Sequence, residues 1–207
     1  MTSRTVLVPP ERLVRWCTNF GTRHGDVGAA VSSGRLVLSA ADGATAEVNL
    51  PFDRAYDGAP DPADVAAAAG APLAWAVLLV RKGGFAMAVV DTDRVVASKV
   101  GQRHVQGRTK AGGQSQQRFA RRRDNQARQA YEAAADHAHR VLVADGSNID
   151  ALVCGGDRTA VDAVLADRRL ARLVQLRVEP WLAVPDPRRA VLQQAVADGR
   201  SLRIHLT

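Results

Sequence analysis

Residues 108–123 read Arg-Thr-Lys-Ala-Gly-Gly-Gln-Ser-Gln-Gln-Arg-Phe-Ala-Arg-Arg-Arg, which sets a Gly112-Gly113-Gln114 tip between basic flanks. Two adjacent glycines let the backbone reach φ > 0 and approach another molecule closely. The arginines around them offer charge-assisted, bidentate contacts to phosphate. Gln114 is the residue with chemistry to do. A carboxamide does not titrate near neutrality, so it cannot serve as a general base. It can orient an attacking water, while a backbone N–H at a glycine-rich tip stabilises an oxyanion. Such groups act only where something else holds the substrate and excludes bulk water. A chain whose reactive apparatus is Gly-Gly-Gln therefore needs a partner that completes the active site.

The charge pattern indicates what kind of partner. Residues 99–128 hold nine basic residues (Lys99, Arg103, Arg108, Lys110, Arg118, Arg121, Arg122, Arg123 and Arg128) and one acid, Asp124, in a chain whose net charge is +7. The rest of the chain is close to balanced, so the excess positive charge is local and calls for a polyanion. Arg103, Arg108, Lys110, Arg118, Arg121, Arg122 and Arg123 are the expected RNA contacts. Other candidates are weaker. His104 lies in the basic loop and is read as solvated. His137 and His139 are two apart on an expected helix, do not share a face, and are read as surface residues rather than metal ligands. Cys17 and Cys154 form no CxxC or zinc spacing and are read as reduced thiols used as small hydrophobes. Cys154-Gly155-Gly156-Asp157 is read as a strand-to-helix turn rather than an anion site. No Walker or Rossmann spacing is present, and neither a cofactor nor a metal is expected.

The elements that must carry the tip follow from periodicity. Three apolar runs, Trp75 to Val80, Phe85 to Val90 and Val95 to Val100, predict an antiparallel meander that feeds the 101–115 loop. A helical pattern follows over about 116–143, with Phe119, Ala127, Ala130, Tyr131, Ala134, Ala138 and Val141 near helical spacing. The tip thus joins a strand to a long helix. Beyond it the pattern predicts a strand over 149–154, a helix over 159–165, a strand over 172–178 with alternating Val174, Leu176 and Val178, a helix over 187–198 and a last strand over 201–206. Upstream, Pro10 opens a helix whose Leu13, Trp16, Cys17 and Phe20 form one stripe ending at Gly21. A hairpin over 27–32 and 35–39 and a short strand over 45–50 follow. Residues 51–72, rich in Pro and Ala, read as a linker with one helical turn.

These elements predict an α/β fold: a mixed β-sheet with flanking helices over 73–207, preceded by a small N-terminal α+β unit with linker over 1–70. The length of 207 residues suits one core plus an accessory unit. No apolar run approaches the roughly 20 residues needed to span a bilayer, and the first residues lack a secretory signal pattern. The chain is expected to be a cytoplasmic monomer.

The run from Gly112 to Arg123 resembles, almost position by position, the GGQ loop and following helix of the middle domain of archaeal and eukaryotic class-I translation release factors. The order of strands and helix around it extends the resemblance over about 73–207. Residues 1–70 are too few for a decoding domain and lack its motif, and the GGQ-type domain stands last. The pattern is therefore most similar to that of the Vms-like release factors, in particular their small actinobacterial members. That resemblance implies a release-factor middle-domain-like fold and codon-independent hydrolysis of the ester between nascent peptide and tRNA in ribosome rescue or quality control. It implies the large ribosomal subunit with its rRNA, and the peptidyl-tRNA acceptor end, as partners. Gly112, Gly113 and Gln114 would be the catalytic residues. The looser Gly-x-x-Gln pattern of Vms-like proteins is also met by Gly113-Gln114-Ser115-Gln116, so Gln116 stands as a second candidate, with the release-factor register favouring Gln114. Two alternatives remain at this point: an endonuclease cutting near the tRNA acceptor end, and a non-enzymatic ribosome- or RNA-binding factor.

Overall fold

The computed structural model describes residues 3–72, 74–82, 84–102, 114–143 and 148–207, and over 114–125 the backbone alone. The fold is mixed α/β, with two five-stranded sheets and flanking helices. The chain divides into two compact units. The first holds residues 1–71, 178–180 and 196–207, and the second holds 72–177 and 181–195.

The first unit is built on strands β1 (Arg4–Val8), β2 (Val27–Ser32), β3 (Arg35–Ala40) and β4 (Thr45–Asn49), with helices α1 (Leu13–His24) and α2 (Pro62–Ala68). Its sheet is completed by the last strand of the chain, β10 (Leu202–Leu206), in the order β1-β10-β4-β3-β2. Every neighbouring pair is antiparallel. Leu36, Leu38, Val48, Leu202 and Ile204 alternate inward and pack with Leu13, Phe20 and Val65 of the helices. Several expectations are corrected here. The last strand does not extend the sheet of 73–207 but runs between β1 and β4, because its alternating Leu202 and Ile204 complete this core. The segment 73–207 is therefore not one continuous unit. Strand β1 has no counterpart among the elements expected from sequence. Helix α1 runs through Gly21, whose carbonyl accepts from the Gly25 N–H at 2.9 Å, and stops at Gly25, where φ is +87°. One glycine inside a helix costs only about 1 kcal/mol, whereas the left-handed Gly25 ends it. In the linker, Asp61 caps α2 by accepting from the Ala63 N–H at 2.7 Å, and the helix runs seven residues rather than one turn.

The second sheet consists of β5 (Ala74–Arg81), β6 (Gly84–Asp91), β7 (Arg94–Gln102), β8 (Ala151–Gly156) and β9 (Arg177–Leu182) in the order β7-β6-β5-β8-β9. The meander β5-β6-β7 is antiparallel, and β8 runs parallel to β5. Strands β5 and β6 are near-continuous apolar runs buried on both faces. One face, with Ala76, Leu78, Val80, Phe85, Met87 and Val89, receives helices α3 (Gln114–Ala138) and α4 (Arg158–Leu165). Helix α3 continues as a π-helical turn over His139–Val143, which buries Leu142. The strand expected over 172–178 is corrected. Residues Ala171–Gln175 form the short helix α5, and β9 starts at Arg177. Leu170 and Leu173 are buried while Val174 is 38% exposed, a spacing of three that overrides the apparent alternation. Helix α6 (Arg189–Gly199) precedes β10.

The Gly155-Gly156 turn has a structural cause. A Cβ on Gly155 would lie 2.6 Å from the Leu182 carbonyl oxygen, and one on Gly156, whose φ is +95°, would clash with the Val80 carbonyl oxygen. Asp157 then donates its N–H to Val80 O at 2.8 Å and caps α4 at the Thr159 N–H. Gly156→Ala should therefore destabilise the chain by about 2–3 kcal/mol, the cost of a strained left-handed residue plus a steric shift. Urea unfolding measures it, and an unchanged midpoint would contradict the assignment of this turn to the fold.

Candidate functional site

Strand β7 ends at Gln102, and α3 begins at Gln114. Arg103, Arg108, Lys110, Gly112 and Gly113 fall between them and lie outside the described residues, as does His104. Gln114 is the first residue of α3, and Gln116, Arg118, Arg121, Arg122 and Arg123 follow within its first three turns. Their side chains lie outside the described ones. The structure thus brings the candidate glutamines and arginines together on the N-terminal stretch of one 25-residue helix. At about 1.5 Å per residue, Gln114 stands roughly 30 Å along the axis from Ala134.

The opposite end of α3 is anchored. Ala134, Ala135 and Ala138 are buried against the sheet, with Tyr131 partly buried beside them. Alanine at these positions lets the helix axis approach the strands closely. The exposed face is tied by ions. Arg169 donates to the Asp136 carboxylate at 2.6 Å and to Asp167 at 2.6 Å, which links α3 to the turn after α4. The Arg169 side chain holds the Asp167 carboxyl down at about 2, and Arg169 itself is pushed up, first by Asp167 and then by Asp136. Arg128 and Glu132 form a looser i,i+4 pair at 4.0 Å. Exposed pairs contribute little to stability, so apolar burial holds the helix and the ions set its azimuth. Arg169 was not singled out from sequence. The sequence places Asp167 ahead of Arg168 and Arg169, but nothing in it reports that Asp136 lies across from them.

His137 is not a plain surface residue, which corrects its reading from sequence. Its ring lies 5.3 Å from that of Phe85, and Arg140 Nη2 donates to its Nδ1 at 3.1 Å. Burial, then Arg140 and Lys99, lower its pKa. Cys154 is pushed up to about 12 and Cys17 to about 11, each chiefly by burial, so both stay protonated thiols and neither is a nucleophile near neutrality. Among the described residues no group of three or more His, Cys, Asp or Glu could hold a metal.

The site is a helix anchored at one end and opening at Gln114 at the other, where the sequence continues with four arginines between 118 and 123. A family model described as the Actinobacteria/chloroflexi VLRF1 release factor matches residues 73–205. The chain belongs to this VLRF1 release factor family. Among solved structures it is similar to the Vms1 mitochondrial localization core at 12% identity and a TM-score of 0.46, over 82% of this chain and 76% of that one. It is also similar to the archaeal translation termination factor aRF1, at 10% identity and a TM-score of 0.37, over 96% of this chain and 66% of that one. The chain thus spans just under two thirds of the archaeal factor. No curated protein matches. Family membership makes this a translation release or rescue factor that interacts with the ribosome. No helix among the described residues is long and apolar enough to cross a membrane.

Removing the clamp should loosen the helix without unfolding the unit. Arg169→Ala is expected to speed amide exchange across 128–138 several-fold while the melting temperature shifts little. The Asp167 carboxyl is depressed, so its contribution is present above the ordinary carboxylate range and is lost as pH falls toward 2. The wild type should therefore approach the variant's exchange pattern in acid; equal exchange in both proteins at neutral pH would show that the clamp does not set the helix.

Proposed function

We propose that this protein is a ribosome-dependent peptidyl-tRNA hydrolase that frees nascent peptide without reading a codon, in ribosome rescue or quality control in the cytoplasm. The observation that carries the proposal is the place of Gln114. It opens a helix whose far end is packed into a core, directly after two glycines and before Arg118, Arg121, Arg122 and Arg123. The basic residues, with Arg103, Arg108 and Lys110, guide the tip along rRNA and the tRNA acceptor end. The positive end of the helix dipole adds to that pull.

In this reading water adds to the ester carbonyl, the tetrahedral oxyanion accepts from backbone N–H at the tip, and the C–O bond to the tRNA ribose breaks. Peptide leaves as the acid, and the ribose oxygen takes up a proton as its hydroxyl. Gln114 orients the water and takes no proton itself. The large ribosomal subunit supplies the closed, positioned site that a carboxamide requires.

Purified large subunits carrying peptidyl-tRNA test this reading. The wild type should yield free peptide and full-length tRNA; shortened tRNA would mean an endonuclease, and unchanged substrate a binding factor. Gln114→Ala should lower release by at least about two orders of magnitude, the scale of losing a positioned polar group, with fold and most binding retained. Loss in Gln116→Ala instead would move the register by two residues.

The arginines should act differently. Replacing Arg118, Arg121 and Arg122 with Ala should weaken ribosome binding and flatten its salt dependence, by roughly 0.7–0.9 in log–log slope for each phosphate that is no longer neutralised. Release should recover at saturating ribosome concentration, which Gln114→Ala never does. A rate that stays low with normal binding would contradict this division of labour.

A further inference from the structure

A cavity of about 320 Å³ opens in the second unit between α3 and the β6-β7 edge of the sheet, at the root of the strand that leads to the Gly-Gly-Gln tip. It is lined by Arg81, Phe85, Lys99, Gln102, Tyr131 and His137, with glycine and alanine backbone between them. No acidic side chain is among the described residues that line it. Its size lies at the small end of ligand pockets, about 300–1000 Å³, which suits one planar group and its substituent rather than a peptide strand.

The lining has two chemistries. Phe85 lies across Gly101 of the neighbouring strand, where a Cβ would strike its ring, and the tilted His137 ring covers it at 5.3 Å, so Phe85 backs the cavity while His137 faces it. Arg140 Nη2 donates to His137 Nδ1 at 3.1 Å, which leaves Nε2 as the ring's other polar atom, and burial, then Arg140 and Lys99, lower the pKa. Tyr131 adds a third ring. Lys99 stands close enough to His137 to help lower its pKa. Arg81 touches the cavity at the end of β5, but its guanidinium is turned toward the Val184 carbonyl at 2.8 Å and Asp186 at 3.7 Å. Lys99 is exposed on β7 and forms no ion pair with a described residue.

We propose that this cavity binds a single unstacked nucleotide, with the base against the His137 and Tyr131 rings and the phosphate at Lys99. Base stacking on aromatic faces combined with cationic phosphate contacts is the chemistry by which proteins hold single-stranded nucleic acid. The nucleotide belongs to an RNA strand rather than to the free pool; that choice of source rests on the proposed ribosomal function, whereas the nucleotide chemistry does not. An RNA residue seated here would fix the root of the stalk while the tip reaches the ester.

The test uses the ¹⁵N-labelled full chain without ribosomes. Free AMP and CMP form one arm, and a short single-stranded RNA bearing 4-thiouridine, photo-crosslinked and mapped by mass spectrometry, forms the other. The expected result is amide shifts at Gly84 and Gly101 and imidazole shifts at His137 in both arms, with crosslinks to 84–102 or 126–138. Lys99→Ala, at an exposed position, should weaken binding about tenfold, the worth of one charge-assisted contact. Ala133→Phe, which fills the cavity from α3, should abolish the shifts, with melting temperatures confirming that both variants fold. Absent shifts, shifts unaffected by Lys99→Ala, or crosslinks confined to 108–123 would overturn the pocket. Shifts with AMP but no crosslink from RNA would overturn the RNA source. A pocket that binds RNA while the wild type leaves peptidyl-tRNA intact would contradict the hydrolase reading alone, and peptide release without nucleotide binding would contradict the pocket alone.

Discussion

The small-residue seam of α3 is the constraint on which the rest of the molecule depends. Ala134, Ala135 and Ala138 sit against Leu78, Met87 and their neighbours, and the chain continues into the π-helical turn that buries Leu142. Each bulky apolar side chain in that cluster contributes about 1.5–3 kcal/mol by burial, far more than the exposed ion pairs along the same helix. A helix held this way at its C-terminal end is a lever. Its direction is set by the core, and its N-terminal turns are free to carry charge that no core would tolerate. That partition explains how one helix holds alanines at one end and four arginines within six residues, 118–123, at the other.

The same partition suits the proposed chemistry. The described part of the second unit offers a buried thiol held protonated, a histidine of lowered pKa beside a phenylalanine ring and an exposed carboxylate pinned by Arg169. None of these is a poised acid–base pair. The proposed hydrolysis is consistent with this, since water activation by a carboxamide needs positioning rather than titration, in an enclosure that a partner supplies. The nucleotide pocket proposed beside β7 extends the logic from tip to root, where rings and Lys99 take the place of the glutamine.

The meander, α3, β8 and α4 were legible because their signals are local: apolar runs for the strands, of which β5, β6 and β8 are buried on both faces while β7 is largely exposed, and helical spacing for α3 and α4. The small N-terminal α+β unit showed its hairpin through Ser33-Gly34, where both residues take positive φ. What escaped was set by partners distant in sequence. Whether Leu202 and Ile204 alternate in one sheet or another is invisible until β1 and β4 present their edges. Val174, Leu176 and Val178 alternate in the sequence, yet Leu170 and Leu173 win because the core receives them three apart. Arg169 and the Phe85–His137 stack are tertiary meetings with no local pattern at all. The candidate Gly-Gly-Gln residues and arginines were legible as chemistry and charge, and the structure adds where the helix that carries them is anchored.

The central claim is that α3 delivers residue 114 to the peptidyl ester while the sheet stays behind. A cryo-electron microscopy map of the Gln114→Ala protein on a large subunit carrying intact peptidyl-tRNA tests it most directly. The account predicts density for residue 114 within one water of the ester carbonyl, with residues 118–123 along rRNA or tRNA phosphates and α3 running straight back to its anchored end. A complex in which the protein is bound and ordered but residue 114 lies away from the acceptor end, or in which another part of the chain faces the ester, would contradict it.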